Sequence, residues 1–196
     1  MKEFEVIPSC FGRNLKLMKK TVITYGIMAG LITGGLMLAT MPLFVSGTVK
    51  MENGLWIGYT GMVIALSLVF FGVKSFRDHH AGGKITFGKG FLIGLGITFI
   101  ASMFYVIAWE ITFSRSGEWF MQQWSMGELD KLETNGATEA ELQVAKQKWD
   151  EFGILYQNPL IRFGMTIMEI FPVGIFISLI SAALLRNKEF LPTSNN

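Results

Sequence analysis

The residue whose position most suggests chemistry is Glu169, a carboxylic acid inside the last apolar run of the chain. It lies six residues after Phe163, in the segment MEIFPVG, and three residues before Pro172. An ionisable side chain at the centre of a membrane helix costs on the order of 2–3 kcal/mol unless it is paired or protonated. Pro172 has no N–H for the carbonyl of Met168, so a free acceptor lies beside the carboxyl group. These residue types predict a proton-linked or cation-coordinating site, which Glu110 near the end of the preceding apolar run could assist.

The same glutamate also has a structural interpretation, which the sequence leaves open. Its carboxyl group could bond to a Ser, Thr or Tyr of a neighbouring helix, or Arg162, two turns earlier, could neutralise it in part. Small membrane bundles do keep single polar residues for packing. Glu169, Pro172 and Glu110 are therefore the candidate functional residues, and we predict no catalytic, cofactor-binding or metal-binding residue.

A glycine-rich stretch, AGGKITFGKGF at residues 81–91, differs by one letter from a nucleotide-binding loop. Gly83, Gly88 and Lys89 have the spacing of G-x-x-x-x-G-K-[ST], but Gly90 stands where the hydroxyl that holds magnesium is required. The stretch also follows an apolar run long enough to cross a membrane, whereas a working loop follows a β-strand. We therefore predict no nucleotide binding, and we interpret the paired glycines as a tight turn.

Four long apolar runs account for a chain in which 51% of the 196 residues are hydrophobic and only 16% are charged. They extend over Thr21 to Val49, Asn53 to Val73, Gly90 to Trp109, and Phe163 to Leu185, and Glu169 is the one charged residue within them. A helix crosses a hydrocarbon core of about 30 Å in roughly 20 residues. Membrane barrels need shorter segments of alternating polarity. The expected fold is therefore an all-α integral membrane protein with four transmembrane helices.

The distribution of Lys and Arg predicts the orientation. Eleven of the 17 lie in the two tails and in the connection between spans two and three, whereas six lie on the other side. Because positively charged loops stay in the cytoplasm, we expect both termini to be cytoplasmic. The predicted organisation is a cytoplasmic tail at 1–20, a membrane domain at 21–189 and a flexible tail at 190–196. The membrane domain includes an extracytoplasmic helical loop at 114–158.

The loop at 114–158 has the pattern of a helical hairpin. A first helix, from about residue 118 to 134, precedes Asn135 and Gly136, which suit a helix cap and a turn. The segment TEAE at 138–141 has the spacing of a capping box, so a second helix is expected to begin there. The apolar side chains of that second helix recur at steps of three and four, and they are Leu142, Ala145, Trp149, Phe152 and Tyr156.

Small residues recur every three or four positions in each span, and helices in lipid associate by close approach at such residues. The first span has Gly26, Gly30 and Gly34, and the second has Gly54, Gly58 and Gly61. We expect these faces to pack within one chain. The alternatives are a homo-oligomer through the glycines of the first span, or a protein partner bound there or on the outer hairpin.

Several segments taken together resemble a bacterial membrane-protein family known as domain of unknown function 4199. They are MKKTVITYGIMAGLITGGLM, FFGVKSFRD, GGKITFGK and EIFPVG, and the likeness runs from about Met18 to Lys188. The resemblance implies a four-span protein of the bacterial inner membrane, and that family has no assigned activity. Residues 1–17 fall outside the likeness.

The expected function is that of a structural or accessory component of the inner membrane that binds a protein partner. The alternative is a small transporter or channel component that uses Glu169. An enzyme is not expected, because the sequence has no nucleophile with a base and no set of metal ligands. A net charge of +2, concentrated at the membrane ends, predicts no nucleic-acid partner. The lipid bilayer is the partner that the apolar runs require.

Overall fold

The computed structural model describes residues 7–192, and every regular element among them is helical. The elements are α1 (Ile7–Val45), α2 (Gly54–His80), α3 (Phe87–Thr134), α4 (Glu139–Tyr156) and α5 (Pro159–Leu185), with a 3₁₀ turn at Met51–Asn53 before α2. Four of them, α1, α2, α3 and α5, are long and apolar enough to cross a membrane. The predicted all-α fold with four spans is confirmed, and the chain is a multi-pass membrane protein. The predictions for residues 1–6 and 193–196 lie outside the described residues.

The ends of the helices follow from local side-chain chemistry. The Thr138 hydroxyl accepts the N–H of Glu141, and the Glu141 carboxylate accepts the N–H of Thr138 at 2.8 Å, so the predicted capping box is present. The hydrogen bonds from Thr138 hold the pKa of the Glu141 carboxyl below its usual value. Gly136 has φ +84° in the turn that follows α3, as predicted from Asn135 and Gly136. At the start of α5, Asn158 caps the helix and Pro159 occupies the first turn, where its missing N–H costs nothing.

α3 is the central helix, because it packs against all four of the other α-helices, α1, α2, α4 and α5. A Cβ atom added at Gly30 of α1 would lie 2.7 Å from Phe104 of α3, and one added at Gly174 of α5 would lie 2.1 Å from Thr98 of α3. Only a residue without a side chain allows these approaches. The glycine face of α1 therefore contacts α3 of the same chain.

Two helices are longer than the sequence predicted. α1 begins at Ile7, within the predicted tail, and Leu17 and Met18 pack against the apolar core. α3 continues without a break through the outer loop to Thr134, so the third span and the first helix of the hairpin are one helix. Between residues 97 and 126 the sequence has no proline, and its one glycine, Gly117, is buried within the helix. This part of the sequence therefore contains no residue that ends a helix.

The close-packed core lies toward one end of the bundle. The buried residues of α2 begin at Met62 and end at Arg77, whereas residues 54–61 are exposed or half-buried. α2 therefore packs closely along its second half and separates from its neighbours along its first. We call the end where α2 begins and α4 lies the hairpin end. The separation there leaves a cavity.

Candidate functional site

The cavity at the hairpin end has a volume of about 470 Å³ and lies between the start of α2 and the other four helices. Gly54, Gly58 and Gly61, which the sequence suggested as a packing face, line it instead. A Cβ atom added at Gly58 would meet no other atom within 4 Å. The missing side chains of α2 thus leave space here. The volume falls in the range of small-molecule binding sites, roughly 300–1,000 Å³.

The cavity wall is mainly apolar, with many aromatic and sulfur-containing side chains. Nine aromatic residues line it, including three tryptophans, Trp109, Trp124 and Trp149. Six methionines also line it, and they are Met37, Met41, Met51, Met62, Met121 and Met165. Methionine side chains are flexible and polarizable, so they adapt to ligands of different shapes. The wall therefore suits an apolar molecule without fixing a single outline.

Glu169 is the one charged residue that lines the cavity in the described part of the chain. It lies on α5 about one turn from Met165 and Thr166, so the three residues share a face. Its side chain is exposed toward the cavity, and the phenol of Tyr105 on α3 lies next to its carboxyl group. The tyrosine is one of the structural partners that the sequence allowed. The carboxyl group of Glu169 therefore has a polar neighbour and also faces the cavity.

Pro172 lies inside α5, one turn beyond Glu169, and is not part of the cavity wall. Because proline has no N–H, the carbonyl of Met168 lacks its usual donor from four residues ahead. Met168 is 77% exposed, on the side of α5 away from the core. Pro172 therefore affects the backbone beside Glu169 and not the surface that a ligand would touch.

Glu110 is held by Arg162 and is not brought to Glu169. The Arg162 Nε donates to Glu110 Oε1 at 2.8 Å, and Nη2 donates to Oε2. Nη1 donates to the carbonyls of Tyr156 and Gln157 at the end of α4, and the guanidinium lies 4.1 Å from the centre of the Phe113 ring. Arg162 is thus committed to Glu110 and does not neutralise Glu169. We call this pair the clamp, because it ties α3, α4 and α5 together.

α4 covers the cavity with its apolar face. Trp149, Phe152 and Tyr156 line the cavity, and their rings follow one another at centroid distances of 5.6 and 5.5 Å. The indole N–H of Trp109 donates to the Tyr156 hydroxyl at 2.9 Å. α4 has no buried residue. It is therefore a cover attached to the bundle at its C-terminal end, through Tyr156 and the clamp.

The glycine-rich stretch lies at the opposite end of the bundle. α2 ends at His80, and the chain turns at Gly82 and Gly83, whose φ angles are +61° and +74°. The Thr86 hydroxyl then accepts the N–H of Lys89 and caps α3. The element before the turn is a helix, as the sequence indicated. Between residues 7 and 192, no group of three or more His, Cys, Asp or Glu side chains is arranged to hold a metal ion.

Sequence reasoning missed two residues that the structure makes important. Tyr105 carries a hydroxyl inside an apolar span, and a buried phenol usually has a polar partner, so it was a findable neighbour for Glu169. In the sequence, Arg77 was one of the positively charged residues used to predict the orientation in the membrane. Its side chain is 1% exposed and donates to the carbonyls of Phe190 and Leu191 and to Asp78. No local pattern in the sequence indicates a contact between residues that lie 113 and 114 positions apart.

The family model described as Protein of unknown function (DUF4199) matches residues 24–187. No curated protein and no solved structure matches the chain. The matched region contains most of α1, the whole of α2, α3, α4 and α5, and every residue that lines the cavity.

Proposed function

Because the chain belongs to the DUF4199 family of proteins of unknown function, we propose its function from the geometry of the cavity. We propose a small membrane carrier that takes an amphipathic molecule into the cavity. Glu169 gives up a proton when the molecule binds and takes up a proton when it leaves. The observation that supports this proposal is a carboxyl group exposed to a cavity of about 470 Å³ whose wall is otherwise uncharged. This is the transporter function that the sequence offered as its alternative.

Proton exchange follows from the cost of a charge in an apolar setting. A single carboxylate inside a membrane bundle is unfavourable unless it is protonated or paired with a cation. Tyr105 provides a hydrogen-bonding neighbour but no positive charge. Glu169 would therefore hold a proton when no polar ligand group is present and release it when such a group arrives. Those are the two states that a proton-linked carrier needs.

The cover formed by α4 supports a route for the ligand. α4 contacts α3 and α5 but has no buried residue, and its anchoring contacts lie at its C-terminal end. Its first turns can separate from the bundle without exposing the close-packed core, which in α2 extends from Met62 to Arg77. We place the protein in the bacterial inner membrane with both termini cytoplasmic, on the distribution of Lys and Arg, so that the cavity faces the opposite side.

A partner-binding role would depend on α4. Of the two surfaces expected to receive a partner or a second copy, the face with Gly26, Gly30 and Gly34 packs on α3 of the same chain. The polar face of α4 is what such a function would use. The cavity gives the carrier function more support, because it presents a defined volume and an ionisable group.

Binding of amphipathic dyes to protein in lipid nanodiscs tests the carrier function. We would use rhodamine 6G, Nile red and anilinonaphthalene sulfonate, which are cationic, neutral and anionic. Gly58→Phe places a ring in the cavity, whereas Gly35→Phe, the matched control, places one on an exposed face of α1 with no neighbour within 4 Å.

We expect saturable binding of at least one dye, weakened about tenfold or more by Gly58→Phe and unchanged by Gly35→Phe. In vesicles, a pH gradient should drive uptake of that dye by the native protein and not by Glu169→Gln. If none of the three dyes binds saturably, or if the two phenylalanine variants behave alike, the cavity is not a binding site.

A further inference from the structure

The charges around the cavity point to one class of ligand. Glu169 on α5 is its one acidic group, and within residues 7–192 no Lys, Arg or His side chain lines the wall. The titratable groups that the other helices contribute are Tyr59 on α2, Tyr105 on α3 and Tyr156 on α4, while α1 contributes two threonines and no titratable group. The nearby Glu110 is paired with Arg162. The cavity therefore offers a negative charge or none, and it never offers a positive one.

The aromatic wall strengthens the preference for a positive charge. A cation within about 6 Å of an aromatic ring is attracted to the ring face, and tryptophan is the strongest partner. Trp109, Trp124 and Trp149 line the cavity together with three tyrosines and three phenylalanines. The same rings give no such attraction to an anion. The carboxyl group and the rings thus select for the same sign of charge.

The volume and the donor set argue against calcium or magnesium as the preferred ligand. Calcium takes six to eight oxygen ligands, and magnesium needs a near-octahedral set. The wall supplies one carboxyl group, three threonine hydroxyls and three phenols, distributed over about 470 Å³. Such a space holds a drug-sized organic molecule.

We infer that the cavity binds a lipophilic organic cation, such as a quaternary ammonium or phosphonium compound, with Glu169 as its counter-ion. This inference rests on the proposed carrier function and adds the class of substrate. The cation binds the ionised carboxylate, so a proton and the cation compete for the same group. Binding strengthens as the pH rises and the carboxyl group loses its proton.

The experiment compares tetraphenylphosphonium with tetraphenylborate, which have nearly the same size and shape but opposite charge. Quenching of intrinsic fluorescence reports binding, because three of the five tryptophans line the cavity. We expect saturable binding of tetraphenylphosphonium that becomes tighter as the pH rises, and no saturable binding of tetraphenylborate.

Glu169→Gln should weaken tetraphenylphosphonium binding at least about tenfold and remove its pH dependence. Glu169→Asp should keep both the affinity and the pH dependence in large part. The control is Glu118→Gln, which removes an exposed carboxylate of α3 that does not line the cavity, and which should change neither. If Glu169→Gln fails to fold, two measurements on the native protein still test the inference. They are the comparison of tetraphenylphosphonium with tetraphenylborate and the pH dependence of tetraphenylphosphonium binding.

The outcomes separate the class of substrate from the carrier function. Equal binding of the two ions, or affinity for tetraphenylphosphonium that does not change with pH, overturns the cation assignment. In that case saturable binding of a neutral or anionic dye, sensitive to Gly58→Phe, leaves the carrier function standing. If none of the three dyes binds saturably, both proposals fail together, because the cationic dye rhodamine 6G belongs to the inferred class of ligand.

Discussion

Replacing Gly174 by alanine should destabilise the bundle, and the reason is a close approach between α5 and α3. A Cβ atom at position 174 would lie 2.1 Å from Cγ2 and 2.7 Å from Oγ1 of Thr98. Favourable contacts between carbon atoms require about 3.5–4.0 Å. Thr98 is fully buried, and its hydroxyl lies 3.4 Å from Ser178 of α5, so it has no free space to move into. Either the Thr98 side chain or the whole helix must shift.

The size of the effect follows from comparing two glycines of the same helix. Overpacking of a close-packed core costs typically about 1–3 kcal/mol. Glycine to alanine in a helix also gains about 1 kcal/mol in propensity. A Cβ atom at Gly164 of α5 would meet nothing within 4 Å, so Gly164→Ala has the gain without the clash. The difference between the two variants cancels the propensity and should be about 1–3 kcal/mol, with Gly174→Ala the less stable.

Unfolding in mixtures of SDS and a mild detergent, followed by circular dichroism, measures this difference. A third variant, Gly174→Ala with Thr98→Ala, removes the two closest atoms and leaves Cβ of residue 98 at 2.9 Å from the new methyl group. It should recover part of the lost stability. Equal free energies of unfolding for Gly174→Ala and Gly164→Ala would refute the close approach of α3 and α5, and with it the packing that positions Glu169.

Two further predictions concern the clamp and α4. The first is a double-mutant cycle with Glu110→Gln and Arg162→Met. The coupling free energy of unfolding should be about 1–2 kcal/mol, because the two side chains meet in a bidentate, part-buried pair. If the losses of the two single variants simply add, no clamp exists. The Glu141 carboxyl has a lowered pKa in the folded chain, so its contribution to stability is fully present above the usual value of 4.5 and is lost as the pH falls through the folded-state pKa. Hydrogen exchange at the start of α4 should therefore lose protection in acid in the native protein. Glu141→Gln keeps an acceptor for the N–H of Thr138 but cannot titrate, so its protection should not change with pH. Identical pH profiles for the two proteins would exclude a role for the Glu141 carboxylate.

The sequence predicted the elements that lipid and local chemistry determine. Uncharged runs of about 20 residues can exist in a membrane only as helices, so the four spans follow from composition. The capping box at Thr138 and the turn at Gly136 depend on neighbours within a few residues, and both are present. The continuity of α3 was not predicted from the sequence. The change from apolar to polar residues near Trp109 marks a change of surroundings and not the end of a helix. A helix boundary needs a breaker, and that segment has none.

The site was predictable only in part. Glu169 was found because a charge in an apolar run is conspicuous, but its neighbour depends on how α5 and α3 are rotated against each other. Glu110 and Arg162 are 52 residues apart, and their pairing comes from the packing of whole helices. The glycines of α1 and α2 have the same spacing in the sequence. In the structure, Gly30 contacts Phe104, whereas Gly58 faces the cavity, and no local pattern distinguishes the two.

The cavity itself limits what can fill it. Apolar side chains that face a space without contents lose van der Waals contacts, so a cavity of about 470 Å³ favours an occupant that packs against its wall. Water is a poor occupant, because it needs two to four polar partners and most of this wall is aromatic or aliphatic. A lipid chain satisfies the wall but leaves the carboxyl group of Glu169 beside hydrocarbon. A molecule that is both apolar and positively charged satisfies the wall and the carboxylate at once, and the bundle can therefore keep both the space and the acid.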